Sequence, residues 1–197
     1  MLYVELVFLA LLLLIVLSIV WSTLRTGISP MMSSGKALRA MLDLASEAVE
    51  RASVVKANGS DKAPLVDLGS GWGTLVIALA LKHPDRQVVG YELSWFPWLI
   101  SIIRKHCLRL HNLTLYRKDF KQADLNNASI LFCYLFPGGM SALYEKLNRE
   151  VFGNVLVVSN TFALPSIQPS KIVKLDDIYR SPIYVYDWPH NPTRDLA

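Results

Sequence analysis

Between residues 66 and 73 the chain reads Val-Asp-Leu-Gly-Ser-Gly-Trp-Gly, with glycines at 69, 71 and 73. Alternate glycines let a backbone turn tightly and approach a ligand with no Cβ in the way, and the N–H groups of a helix that follows favour electron-rich ligand atoms. Glu92 comes nineteen residues after Gly73. At that separation a carboxylate closing the next strand accepts hydrogen bonds from both hydroxyls of a ribose. A glycine triplet alone is often only a tight strand-to-helix turn; a strand before it, a helix after it and an acid in register make Gly69, Ser70, Gly71, Gly73 and Glu92 an adenosine site. The spacing also selects among adenosine ligands. Nicotinamide and flavin sites usually carry G-x-G-x-x-G, whereas this loop is G-x-G-x-G with Asp67 two residues before its first glycine, which favours a ligand without a pyrophosphate.

Such a loop works only if regular elements hold it. Strand-like runs at 64–68, 87–93, 113–117, 129–135 and 154–161 are separated by helix-like stretches at 73–82, 97–110 and 140–150, with a shorter, irregular link at 118–128. Alternation of this kind predicts an α/β, Rossmann-like fold built on a mainly parallel sheet with helices on both faces. The tail departs from this alternation, since 171–175 and 183–188 read as two strands around a turn at 176–182, a C-terminal antiparallel hairpin. Ahead of the first strand, a helix from Ser34 places Leu38, Met41, Leu42, Ala45, Ala48 and Val49 on one face, and 56–63, with Asn58-Gly59, breaks it.

The 197 residues suit one domain and a short appendage; 52% are hydrophobic and only 18% charged. The apolar excess lies at the start, where residues 2–21 carry a single charge, Glu5. A helix of that length reaches ~30 Å, the thickness of a hydrocarbon core, and predicts one N-terminal transmembrane helix. A cleaved secretory signal and a buried soluble helix are the competing readings; neither a basic leader nor a small-residue cleavage site is clear. The expected division is an anchor at 1–22, a linker at 23–34 rich in Ser, Gly, Thr and Pro, and a domain at 35–197. Arg25, Lys36 and Arg39 follow the span, which puts the domain of a single-pass protein on the cytoplasmic, or equivalent inner, face. The two cysteines, Cys107 and Cys133, form no ligand or disulfide pattern, so no metal site is expected. The net charge of +4 comes without a dense basic run; attraction to an anionic leaflet accounts for it, and no nucleic-acid partner is expected.

The 66–73 segment resembles the first motif of class I S-adenosylmethionine-dependent methyltransferases. That resemblance implies S-adenosylmethionine as cofactor, Glu92 on its ribose, Asp119, beside Phe120, near the adenine amino group, and Asp67 supporting the loop toward the methionine end. The wider plan is similar to the small membrane-tethered lysine methyltransferases related to those that modify the ATP synthase c-subunit and the adenine nucleotide translocase. It is carried by the span, the Pro-containing linker, the helix at 37–45, Asp67-Leu68-Gly69-Ser70-Gly71, Gly90-Tyr91-Glu92-Leu93, Pro97-Trp98-Leu99, the run 129–147 and Tyr186-Asp187-Trp188. Two features depart from that plan: Trp72 stands where the family commonly has an acid, and Ser94-Trp95-Phe96 separates Glu-Leu from Pro-Trp.

The resemblance implies a membrane-protein lysine as acceptor. An amine must be neutral to attack, and its site must tolerate the positive charge that develops, which aromatic faces do. The carboxyl end of the fourth strand is the place for such faces, and Tyr134 and Phe136 are the candidates there, with core packing as their plainer role. A methyltransferase acting on a small molecule, lipid or quinone is an alternative, as is a membrane-bound nucleotide-binding protein without turnover. A dinucleotide oxidoreductase fits the loop spacing less well.

Overall fold

The computed structural model describes residues 1–26, 34–55, 63–151 and 153–189. Helices α1 (Leu2–Thr26) and α2 (Gly35–Val55) precede β1 (Leu65–Leu68), α3 (Thr74–Lys82), β2 (Val88–Tyr91), α4 (Trp95–Cys107) and β3 (Leu113–Tyr116). A 3-10 turn, Phe120–Gln122, leads to β4 (Ile130–Cys133), α5 (Pro137–Glu150), β5 (Val155–Asn160), β6 (Lys171–Lys174) and β7 (Pro182–Trp188). The expected linker falls largely on 27–33, outside the described residues, as does the Asn58-Gly59 break.

Among the described residues seven strands form one sheet in the order β3-β2-β1-β4-β5-β7-β6. The first five are parallel, while β7 runs antiparallel to both β5 and β6. The terminal hairpin is therefore present, but its second strand inserts between β5 and β6, leaving the polar β6 (Lys-Ile-Val-Lys) at the edge, where charged ends discourage further pairing. Every residue of β1 and β4 is buried, as a strand sandwiched between helix layers must be. One layer is α2, α3 and α4: Met41, Leu44 and Ala45 meet Leu75, Val76 and Leu79, with Trp98 and Ile102 packed alongside. The other is α5, whose Met140, Leu143 and Leu147 meet Leu131, Val157 and Tyr186. From β1 the chain winds outward to β2 and β3, then crosses to β4 and β5. That reversal opens a crevice beyond the carboxyl ends of β1 and β4, where open α/β sheets bind ligands.

Two helices start earlier than their sequence pattern predicts. Pro97 sits in the first turn of α4 and Pro137 is the first residue of α5, both places where a missing N–H costs nothing because the helix has no acceptor for it. Gly138 and Gly139 thus belong to α5 and not to a loop before it.

At the N-terminus α1 continues to Thr26, past the boundary expected at 22. Several of its side chains lie outside the described set, and among the described residues no helix is long and apolar enough to cross a membrane. The span expected over 1–22 is thus not an observed feature of the fold; a helix with exposed apolar side chains, among them Leu6, Phe8, Leu13 and Leu17, occupies that position.

Candidate functional site

The crevice is floored by the loop that follows β1. Gly69, Gly71 and Gly73 all have positive φ, at 88°, 52° and 77°, a conformation that side chains with a Cβ adopt only at a cost. Gly69 N–H and Ser70 N–H donate to the Tyr91 carbonyl at 2.8 and 2.9 Å, tying the loop to the end of β2. From the other side α4 holds it: Ser101 Oγ donates to the Gly71 carbonyl at 3.1 Å, and Arg104 Nη1 donates to the Trp72 carbonyl at 2.7 Å. A Cβ on Gly73 would stand 2.7 Å from Ser101 Oγ, whereas one on Gly71 would meet nothing within 4 Å. One glycine permits helix contact and the other leaves the floor open.

Glu92 lies immediately after β2 and is buried. Its Oε2 accepts from Gly71 N–H at 2.8 Å and its Oε1 from Ser94 N–H at 2.6 Å. Each carboxylate oxygen has two lone pairs, so both oxygens keep an acceptor position after these bonds. The acid foreseen in register with the loop is bonded directly to it.

Asp67, at the third position of β1, is flanked by Gly90 of β2 and Phe132 of β4. Burial, with the charge of Glu92 adding to it, pushes its carboxyl up to about 7 from an ordinary 3.8. Asp67, Gly69, Ser70, Gly71, Trp72, Thr74 and Tyr134 line one hollow, to which α2 contributes Met41. Two of the buried hydroxyls there, Ser70 Oγ and Thr74 Oγ1, have no hydrogen-bond partner. A buried hydroxyl left unpaired costs about 1–3 kcal/mol, so their position beside a hollow is a reason to look for a polar ligand.

Tyr134, directly after β4, lines the hollow and stacks on Phe162 with ring centroids 6.0 Å apart and planes 21° apart. Phe162 is presented by the tight turn after β5, in which its N–H donates to the Asn160 carbonyl and its carbonyl accepts from Ser159 Oγ. Phe136 is placed differently. Because α5 begins at Pro137, Phe136 becomes the residue capping that helix, and its ring folds over Gly138 and Gly139 without lining the hollow. Asp119 also sits apart from the hollow: its Oδ1 accepts from Lys121 N–H at 3.0 Å and caps the 3-10 turn, while Phe120 packs on the α5 layer. The neighbouring Lys118 N–H donates to the Glu92 carbonyl, so this turn borders the Glu92 end of the crevice. Trp72 meets Phe96 of α4 edge-on at 5.8 Å. Among the described residues no cluster of His, Cys, Asp and Glu could hold a metal ion.

Ser101, Arg104, Met41 and Phe162 complete the site without having been singled out from sequence. Only Ser101, a polar residue inside the apolar run Trp-Leu-Ile-Ser-Ile-Ile, carried a local signal.

The raised Asp67 carboxyl has a consequence for stability. A folded pKa above the free value favours the fold below 3.8, and that contribution is lost as pH rises through about 7. Asp67→Asn is therefore expected to raise the urea midpoint at pH 8 by more than at pH 5, at the expense of ligand binding. Equal shifts at the two pH values would contradict a buried, proton-holding Asp67.

Residues 67–171 match the family model described as the ANTKMT methyltransferase domain. The chain is 36% identical over 112 residues to the adenine nucleotide translocase lysine N-methyltransferase of Mus musculus, covering 55% of this chain and 48% of that protein. It is 33% identical over 122 residues to the ATP synthase c-subunit lysine N-methyltransferase of Homo sapiens, covering 60% and 51%. The chain thus matches about half the length of these relatives. Among solved structures, an RNA methyltransferase from Salinibacter ruber in complex with S-adenosyl-L-homocysteine superposes with a TM-score of 0.65 at 23% identity, over 82% of this chain and 95% of that one. At that identity the likeness concerns the fold.

Proposed function

The chain belongs to the ANTKMT methyltransferase domain family, and from that premise we propose that it transfers methyl groups from S-adenosylmethionine to a lysine side chain of a protein while held at a membrane by α1. The observation that carries the cofactor reading is the buried Glu92 carboxylate, still able to accept and bonded to Gly71 N–H of the loop that lines a hollow together with Asp67. The lysine reading is supported by the names of the relatives and by the Tyr134–Phe162 stack.

The residues present fit the cofactor. Ser70 and Thr74 offer hydroxyls in need of partners, and Gly71 leaves room above the loop. Glu92 would hold the two ribose hydroxyls on its remaining lone pairs, and Asp67, once ionised, would face the α-ammonium of the methionine portion. When bound, S-adenosylmethionine supplies a methyl group already activated by the positive charge on sulfur, so the protein's work is positioning and exclusion of water. Tyr134 and Phe162 would line the acceptor's approach, where aromatic faces favour the ammonium that results. Asp119 and Phe120 border the Glu92 end and would meet the adenine side. Since a cationic ligand favours ionised Asp67, affinity for S-adenosylmethionine is expected to rise as pH passes upward through about 7. The Asp67→Asn variant should bind more weakly and show a flat profile; a flat profile in the unaltered chain would contradict this role.

The tether is supported by the composition of α1, with Glu5 and Arg25 as its only charged side chains, and by the exposure of Tyr3, Val4, Leu9, Leu14, Val16 and Val20. The reading divides the chain into an anchor at 1–22, a linker at 23–34 and a catalytic domain at 35–197 on the cytoplasmic or equivalent inner face, toward which Arg25, Lys36 and Arg39 point by the positive-inside rule. Alkaline carbonate washing should leave the full-length chain in the membrane pellet; release into the supernatant would contradict the anchor.

Function is tested by incubating membranes from cells lacking this protein with the purified chain and methyl-labelled S-adenosylmethionine. Mass spectrometry should then find label on a lysine side chain. Label confined to the lipid extract would turn the reading toward a small-molecule, lipid or quinone acceptor, and cofactor binding without transfer toward a non-catalytic protein.

A further inference from the structure

We propose that α4 lies on the bilayer surface, so that the mouth of the cofactor crevice faces the headgroups of the membrane that holds α1. The inference rests on the anchor reading above and extends it to a helix of the catalytic domain.

Helix α4 is unusual for the cover of a sheet. Its inner side is occupied: Pro97 and Ser101 are buried, and Trp98 Nε1 donates to the Leu115 carbonyl. Its outer side is not polar. Trp95, Leu99 and Ile103 fall four residues apart, hence in one stripe along the helix; Trp95 is 49% exposed and Ile103 48%. Leu93, before the helix, and Leu108, after it, are exposed as well, at 36% and 47%. Arg104 is engaged with the cofactor loop, but the last turn also carries Lys105 and His106, and the exposed Arg109 follows. Aromatic and aliphatic residues along one side with basic residues at one end describe a helix lying in a membrane interface, where anionic lipids attract positive charge.

Continuity with α1 selects the bilayer over a protein partner as the occupant. Among the described residues α1 touches α4. Among the described side chains of α1, the half-buried ones, Ser18 and Thr23, belong to its C-terminal half, the half that would sit nearest the membrane surface on which the domain rests. The strip on α4 stays exposed with α1 in place. The same helix grips the cofactor loop through Ser101 and Arg104, and its Phe96 meets Trp72 at the hollow. Resting α4 on lipid therefore fixes the height of the crevice above the membrane and brings its mouth to lysines close to the membrane surface.

The chain carries a native reporter. Cys107, one turn beyond Ile103, is exposed, whereas Cys133 is buried with its thiol pushed up to about 12, so a nitroxide reagent labels Cys107. The full-length chain would be labelled there, and in Cys107→Ser backgrounds at Ile103→Cys, Leu13→Cys and Ile178→Cys. All four are placed in nanodiscs of phosphatidylcholine and phosphatidylserine, and spin-label collision with oxygen is compared with collision with a water-soluble nickel chelate. Ile178, 95% exposed, is the water reference. The oxygen-to-nickel ratio at 103 is expected to exceed that at 178 several-fold and to lie below that at 13, with 107 between 103 and 178. A ratio at 103 equal to that at 178, with 13 in lipid, would overturn the α4 proposal and leave the anchor standing. A ratio at 13 equal to that at 178 would overturn both.

Discussion

Glu92→Ala should weaken binding of S-adenosylmethionine by about 100-fold or more, measured by calorimetric titration of the full-length chain in detergent. Charge-assisted hydrogen bonds contribute roughly 1.5–3 kcal/mol each, and loss of two to the ribose corresponds to about 3–6 kcal/mol, with 1.4 kcal/mol per tenfold. The structure adds a second consequence. Glu92 also accepts from Gly71 N–H and Ser94 N–H, and its removal leaves both without that acceptor, at about 1–3 kcal/mol for each donor that water does not reach. The variant should therefore unfold at lower urea as well as bind poorly, so binding must be measured where circular dichroism shows the fold intact. Unchanged affinity in the folded variant would contradict the ribose assignment.

Gly73→Ala should destabilise the chain by roughly 2–4 kcal/mol, the sum of left-handed backbone strain of about 1–2 kcal/mol and an overpacking cost of similar size. The overpacking has a named cause: the new methyl would stand 2.7 Å from Ser101 Oγ and 2.9 Å from Ser101 Cβ. Ser101 cannot yield freely, since its hydroxyl bonds the Gly71 and Pro97 carbonyls. Adding Ser101→Gly to Gly73→Ala should recover the steric part and leave the backbone part, giving a coupling of about 1–2 kcal/mol in a double-mutant cycle. Urea unfolding of the four proteins checks this. Gly73→Ala within about 0.5 kcal/mol of the unaltered chain would mean that α4 does not clamp the loop.

The parts of this fold that sequence exposes are those fixed by local rules. Strands buried on both faces read as apolar runs, as Leu-Val-Asp-Leu and Ile-Leu-Phe-Cys do, and the glycine loop and Glu92 announce themselves by spacing alone. What it hides depends on partners distant in the chain. The insertion of β7 between β5 and β6 is set by side chains from three strands, and a hairpin pattern says nothing of which strand faces the sheet. Tyr134 and Phe136 are equivalent by position, and only the start of α5 at Pro137 turns one toward the hollow and the other onto the helix. Phe162 reaches Tyr134 from the end of another strand. Ser101 and Arg104 meet the loop from about 30 residues away, a relation no periodicity encodes. Asp119 caps a turn, which is the ordinary use of an aspartate in a polar link.

Methyl transfer depends on where the adenosyl group lodges, and a crystal structure of the chain with S-adenosylhomocysteine tests that most directly. The ribose hydroxyls should lie within hydrogen-bonding distance of the Glu92 carboxylate, with the amino-acid portion along 69–73 and its ammonium toward Asp67. A ligand bound elsewhere, or one whose ribose leaves Glu92 bonded only to Gly71 and Ser94, would contradict the site and the function built on it.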